Sequence, residues 1–182
     1  MLDSAAPSLS RSPKLWMLWG FSITSLFGTL LHFLYELLNG ATWIAPFSAV
    51  NESTWEHMKL LFWPMLLFAV FTSFFFRDFR AFWCIQRTAI LLGLTLIPVF
   101  FYTYNGAFGK SPDAVNIAIF FVSAGIAYLY AARQMKSGDA MCKFPRLALL
   151  TLSLLAVLFI VFTFRTPALP LFQDPLTGGY GV

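Results

Sequence analysis

The sequence predicts an all-α, polytopic membrane protein: a bundle of five transmembrane helices with the N-terminus inside and the C-terminus outside. Of its 182 residues, 59% are hydrophobic and only 11% are charged, and the mean hydropathy is +0.74. A soluble domain of this length cannot bury so much apolar surface. The apolar residues also fall into five runs, each close to the ~20 residues that cross the hydrocarbon layer.

The predicted elements follow these runs in order. Residues 1–14 combine Ser and Pro with Arg11 and Lys14 and predict a disordered leader. The first run is too long for a signal-peptide core and lacks a small-residue cleavage site, so we expect it to remain as a helix. Residues 165–182, rich in Pro and Gly, form an extracytoplasmic tail, either loose or folded as a lid with Asp174 or Tyr180 near the outer helix ends. The predicted spans cover about 15–38, 55–76, 81–104, 113–133 and 147–164, and form a single transmembrane domain over 15–164.

Basic residues are distributed unequally between the two ends of this bundle. With a cytoplasmic N-terminus, nine lie inside, and only Lys59, Lys110 and Arg165 lie outside. The positive-inside rule therefore predicts an N-in, C-out, multi-pass protein of the plasma (inner) membrane. Topology explains the net charge of +4, so we expect no nucleic-acid partner. The expected partners are membrane lipid and either a second copy of the chain or another membrane protein.

The two cysteines lie in different surroundings. Cys84 falls in an apolar run and Cys142 in a short basic loop. These positions do not indicate a disulfide framework.

Both histidines of the chain, and three of its eight carboxylates, lie at the predicted outer ends of helices one and two. Residues four apart share a helix face, so Gly28, His32 and Glu36 form one ridge, where the small residue admits a neighbouring helix. Glu52, Glu56 and His57 lie at the start of helix two, with the two acids on one face. Since the two helices are antiparallel neighbours joined by a short loop, these side chains can converge. Ionisable groups near hydrocarbon depth indicate a functional site.

One interpretation of this cluster is a divalent-metal site. Two imidazoles with carboxylates suit Zn²⁺, or Fe or Mn, although the spacing matches no standard metal motif. The protein would then be a metal-dependent membrane hydrolase acting on a lipid or another amphiphilic substrate, with Glu56 or Glu52 as the catalytic base. The predicted metal ligands are His32, Glu36, Glu52 and His57.

Three alternatives remain open. Ser53 and Glu56 have the spacing of a capping box, which would give the acids a purely structural role. The same acids could line the path of a small-molecule or ion transporter, although the inner half of the spans carries no matching acid or histidine. The protein could also be a non-catalytic accessory subunit.

Four stretches of the chain resemble a family of small prokaryotic integral membrane proteins catalogued as a domain of unknown function. The most specific is the Asn-Glu-Ser-x-Trp-Glu-His run that begins at Asn51, and Ala49 stands where the resemblance would lead us to expect proline. The resemblance implies a membrane protein and no particular activity. The four stretches are residues 28–36, 50–64, 97–104 and 170–181.

Overall fold

The computed structural model describes residues 12–137 and 142–182. Over these residues the chain is helical, which confirms the predicted all-α class. A 3-10 helix, Pro170–Phe172, and one isolated antiparallel bridge between Gln173 and Tyr180 follow in the tail. Most of the predicted leader lies outside the described residues. The long helices are α1 (Pro13–Leu37), α2 (Thr54–Ser73), α3 (Phe82–Phe108), α4 (Asp113–Ser137) and α5 (Pro145–Phe164).

Four of the helices, α1, α3, α4 and α5, are long and apolar enough to cross a membrane. Large apolar side chains on the outside of the bundle, such as Leu18 on α1 and Leu150 on α5, are more than half exposed, as expected for contact with lipid. The 20 residues of α2 would span ~30 Å. However, α2 is mainly enclosed by protein, with thirteen of its residues buried. The fifth span and the orientation remain predictions.

Small residues allow the helices to approach closely. The helix α1 packs against α2 and α4, while α3 packs against α2, α4 and α5. Gly28 of α1 is buried where these helices meet: a Cβ atom at this position would lie 2.5 Å from Cζ of Phe120 and 2.9 Å from the carbonyl oxygen of Leu60. The prediction that Gly28 faces the bundle is confirmed. The close approach sets the spacing of α1 from α2 one turn below His32.

The expectation that the cysteines would not pair is wrong. Cys84 on α3 and Cys142, just before α5, are joined by a disulfide with their Cα atoms 5.8 Å apart, a separation that this bond requires. The start of α5 returns to the start of α3, a proximity that the sequence separation of 58 concealed. This end of the bundle is the one predicted to face the cytoplasm, where thiols are normally kept reduced. The bond and the charge distribution therefore favour opposite orientations.

Cysteine labelling in whole cells distinguishes these orientations. In a Cys84→Ser/Cys142→Ser background, we expect Gly106→Cys, exposed at the end of α3, to react with a membrane-impermeant maleimide. Ser137→Cys, exposed at the opposite end, should react only after lysis. The reverse pattern would show that the C-terminus is inside and that the disulfide end faces the oxidising side.

Candidate metal centre

The loop between α1 and α2 folds back over the end of α1. Asn39 and Gly40 both have positive φ angles, of 52° and 73°, which end the helix, and Gly40 N–H donates to the carbonyl of Tyr35 at 2.9 Å. Further along, the buried hydroxyl of Ser48 accepts from Tyr35 N–H at 2.9 Å and donates to the carbonyl of Leu31. These bonds flank His32 and fix the loop against the turn that carries it.

The start of α2 has its own set of bonds. Ser53 is the N-cap, and its hydroxyl accepts from Glu56 N–H at 3.4 Å. The side chain of Asn51 accepts from Ser53 N–H at 2.9 Å. The carboxylate of Glu56 accepts from Val50 N–H at 3.0 Å instead of completing the capping box. Half of the predicted capping box is therefore present, and it fixes the first turn of α2, which carries His57.

Three of the predicted ligands come together between these helix ends. Nε2 of His32 lies 3.6 Å from Oε1 of Glu52, and Nε2 of His57 lies 3.5 Å from Oε2 of Glu52. The two imidazole ring centroids are 5.5 Å apart. One ligand atom from each residue lies within 4.8 Å of the others, so the three residues could hold a metal ion. We call His32, Glu52 and His57 the triad.

The spacing of the triad is close to that of a zinc site. Tetrahedral Zn²⁺ with ligands at about 2.0–2.2 Å places neighbouring ligand atoms roughly 3.3–3.6 Å apart. The two nitrogen–oxygen separations in the triad, 3.5 and 3.6 Å, are similar to this value, but they involve different oxygens of Glu52. To share one ion, the Glu52 carboxylate would turn towards it or bind it through both oxygens.

The second ring nitrogen differs between the two histidines. Nδ1 of His57 lies 3.0 Å from the carbonyl oxygen of Ser53. Donation of an Nδ1 proton to this carbonyl leaves Nε2 with a free lone pair facing Glu52, the tautomer in which histidine binds metal. Nδ1 of His32 is buried without a hydrogen-bond partner among the described residues. The backbone thus orients His57 for ligation, whereas Nδ1 of His32 has no such bond among the described residues.

The other two predicted site residues are not in the triad. Glu36 is exposed near the end of α1 and does not join the group of potential ligands. Glu56 is 2% exposed, and Oε2 of its carboxylate lies 2.6 Å from Nζ of Lys59. The ammonium of Lys59 also donates to the carbonyl of Ala45 at 2.8 Å and to the hydroxyl of Thr163 at 3.0 Å. The Glu56 carboxylate is therefore bonded to Lys59 and does not join the triad.

Two cavities meet at Glu52 and His57. The smaller, of about 60 Å³, extends towards the connection between α3 and α4, and its lining includes Asn105, Lys110 and Ser111 as well as apolar side chains. The larger, of about 420 Å³, lies between α1 and α4. Its wall contains His32 and several large apolar side chains, namely Phe33, Leu60, Ile117, Phe120 and Phe121. Glu52 and His57 therefore lie on the wall of two cavities, each with more apolar than polar surface.

The C-terminal tail is folded against this region. Phe172 is buried, with its ring centroid 4.7 Å from that of Trp55 at the start of α2. The side chain of Asn51 donates to the carbonyl of Gly181 at 3.1 Å. Asp174 is buried within the turn of the tail, and Leu176 lines both cavities. The tail is folded rather than loose, but Leu176 reaches the two cavities, whereas Asp174 and Tyr180 do not line them.

Sequence reasoning missed two residues of this region. Lys59 was counted as an outer topological charge, although its side chain is fully buried. Its position three residues after Glu56 was the available signal, because residues three apart face each other on a helix. Asp113 begins α4 and lines both cavities together with Glu52 and His57. No local pattern singled it out, because its neighbours at the site come from other helices.

The buried ion pair gives a prediction about stability. Lys59→Met leaves the Glu56 carboxylate buried without its cation, which should cost about 3–5 kcal/mol. We expect Glu56→Gln/Lys59→Met to recover most of that loss, because it removes both charges. The midpoint of unfolding in detergent, followed by tryptophan fluorescence, measures the effect. Lys136→Met, at an exposed position on α4, is the control. A double variant as unstable as the sum of the single variants would contradict the pairing.

The chain can now be compared with known proteins. No curated protein and no solved structure matches it. A family model described as "Family of unknown function (DUF6512)" matches residues 7–182, which include the whole triad and the tail. The predicted resemblance to a family without an assigned activity is therefore confirmed. The chain belongs to DUF6512, a family of unknown function.

Proposed function

We propose that the triad binds one divalent metal ion, with Zn²⁺ as the expected ion, and that the protein is a membrane-embedded hydrolase. The observation that carries this proposal is the convergence of two imidazoles and a carboxylate, each offering a ligand atom within 4.8 Å of the others. Two histidines and a glutamate form a recognised ligand set of catalytic zinc sites, which keep a fourth position for water. An ion here would lower the pKa of that water and supply a hydroxide nucleophile.

The cavities support an amphiphilic substrate. The larger cavity, with Phe33 and Ile117 on its wall, could take an acyl chain from the lipid between α1 and α4. The smaller cavity, with Lys110 and Asn105 on its wall, could take a small polar group of the substrate. A scissile bond between these two parts of an amphiphile would lie beside the triad.

A proton acceptor is also required, and Asp113 suits this role better than Glu56. Asp113 is exposed and lines both cavities beside Glu52 and His57. The Glu56 carboxylate is already bound by Lys59 and by Val50 N–H. We therefore assign Glu52 to metal ligation and Asp113 to proton transfer.

The same geometry also accommodates a proton in place of a metal. A carboxylate between two imidazoles forms an ion pair whenever either ring is protonated. The contact of His57 Nδ1 with the Ser53 carbonyl orients Nε2 towards Glu52 in both cases, as in metal sites. Metal content therefore separates the two interpretations.

Metal content tests the proposal. Protein stripped with a chelator and reloaded with Zn²⁺ should retain about one ion per chain after dialysis, whereas Glu52→Gln and His57→Gln should retain close to none. Because protons compete for the ligands, we expect Zn²⁺ retention to fall as the pH is lowered through the range where histidine titrates. Elemental analysis by mass spectrometry is the measurement.

A matched control sharpens this experiment. Glu36→Gln removes an exposed carboxylate four residues from His32, and should bind Zn²⁺ like the wild type. Equal Zn²⁺ content in the wild type and in folded Glu52→Gln would rule out a metal site at the triad and would leave the ion-pair interpretation.

Photo-crosslinking tests the lateral cavity separately from the metal. A long-chain phospholipid with a diazirine in its acyl chain should label α1 and α4 peptides around the larger cavity. Ile117→Trp places a larger side chain on the wall of this cavity and should reduce the labelling several-fold. Leu150→Trp, on the lipid-exposed face of α5, should leave it unchanged. Labelling of α1 and α4 that Ile117→Trp does not reduce would exclude acyl-chain entry at this site.

A further inference from the structure

A further cavity lies at the opposite end of the bundle from the triad. It has a volume of about 340 Å³ and lies between the start of α3, the end of α4 and the start of α5. Its polar lining comes from Arg87 and Thr88 on α3, Tyr130 and Gln134 on α4, and Lys143 just before α5. None of these residues belongs to the candidate metal centre.

The charge around this cavity has one sign. An adjoining cavity of about 540 Å³ shares Lys143, Phe144 and Leu147 with it and adds Arg146. The two cavities together present three cationic side chains, and none of the described residues that line them is acidic. The pair of cavities is therefore suited to an anion.

Arg87 is a basic residue of this cavity that membrane topology does not explain. Topology accounts for basic residues in the connections, but Arg87 lies five residues beyond the first residue of α3. Its Nε is buried without a hydrogen-bond partner among the described residues, and none of the ion pairs in the described part of the chain includes it. A buried donor without an acceptor is costly, and the planar guanidinium fork matches two oxygens of a phosphate.

Apolar side chains flank the cationic group. Phe144 is 65% exposed and Leu147 is 50% exposed, and both line the two cavities. A ligand held here would meet cations at one part and an apolar, lipid-facing surface at another. Basic pockets between transmembrane helices bind lipid head groups in this way.

We propose that this cavity binds the phosphate group of an anionic phospholipid, with Arg87 and Lys143 as the principal contacts and the acyl chains along Phe144 and Leu147. The phosphate supplies the hydrogen-bond acceptor that Nε of Arg87 lacks among the described residues. This site is independent of the triad, and it holds a structural lipid rather than a substrate.

Lipid retention in native mass spectrometry of the full-length protein tests the proposal. The wild type should retain phosphatidylglycerol in preference to phosphatidylcholine with the same chains. Arg87→Gln and Lys143→Gln should each weaken that retention by about fivefold, the effect of one cation near a lipid surface. Lys143 is exposed, so its variant reports on the site even if Arg87→Gln does not fold. Lys136→Gln carries the same charge change on exposed α4 surface outside both cavities, and should match the wild type.

Three outcomes would overturn the proposal. Equal loss of lipid in Lys136→Gln and Lys143→Gln would mean that net charge alone controls binding. Displacement of phosphatidylglycerol by millimolar inorganic phosphate would identify a soluble phosphate as the ligand. Asp139 lies outside the described residues, four positions before Lys143 in the sequence. If Asp139→Asn and Arg87→Gln lowered thermal stability equally and neither changed lipid retention, Asp139 would be the partner of Arg87.

Discussion

The arrangement of the end of the bundle that carries the triad depends on one buried ion pair. The ammonium of Lys59 contacts the Glu56 carboxylate on its own helix, the Ala45 carbonyl in the preceding loop and the Thr163 hydroxyl on α5. Two charges removed from water are stabilised only when their remaining hydrogen-bonding positions are also filled. Here they are filled by three different parts of the chain, so the pair fixes the loop, α2 and α5 with respect to one another.

The candidate metal centre follows from this constraint. The loop fixed by Lys59 is also bonded to α1 through Ser48, and it ends at Ser53, which caps α2. Glu52 is therefore held between the α1 turn that carries His32 and the α2 turn that carries His57. The two carboxylates differ in their partners: Glu56 pairs with the buried ammonium of Lys59, whereas the Glu52 side chain is 41% exposed and lies beside the imidazoles of His32 and His57. Among these two carboxylates, Glu52 is therefore the one placed to ligate an ion.

Local spacing predicted much of this arrangement. The apolar runs predicted five helices close to the observed bounds. The antiparallel pairing of helices one and two predicted that five side chains would converge, and three of them do, namely His32, Glu52 and His57. Spacing failed where the outcome depended on other elements. Glu36 shares a helix ridge with His32 yet is exposed and outside the triad, and Glu56 pairs with Lys59 instead. The disulfide, the folded tail and Asp113 likewise depend on which helices pack together, and no local pattern contains that information.

The position of the triad at the boundary of two cavities limits what chemistry it can support. On one side, Leu176 of the tail and the polar α3–α4 connection narrow the approach from water to a chamber of about 60 Å³. On the other, the opening of about 420 Å³ lies between two helices that can cross a membrane. A small polar solute gains little from the apolar wall, whereas an amphiphile buries its chain there at ~25 cal/mol per Å². The larger opening therefore favours ligands that arrive from the lipid, and binding energy from the chain would fix the polar group beside the triad.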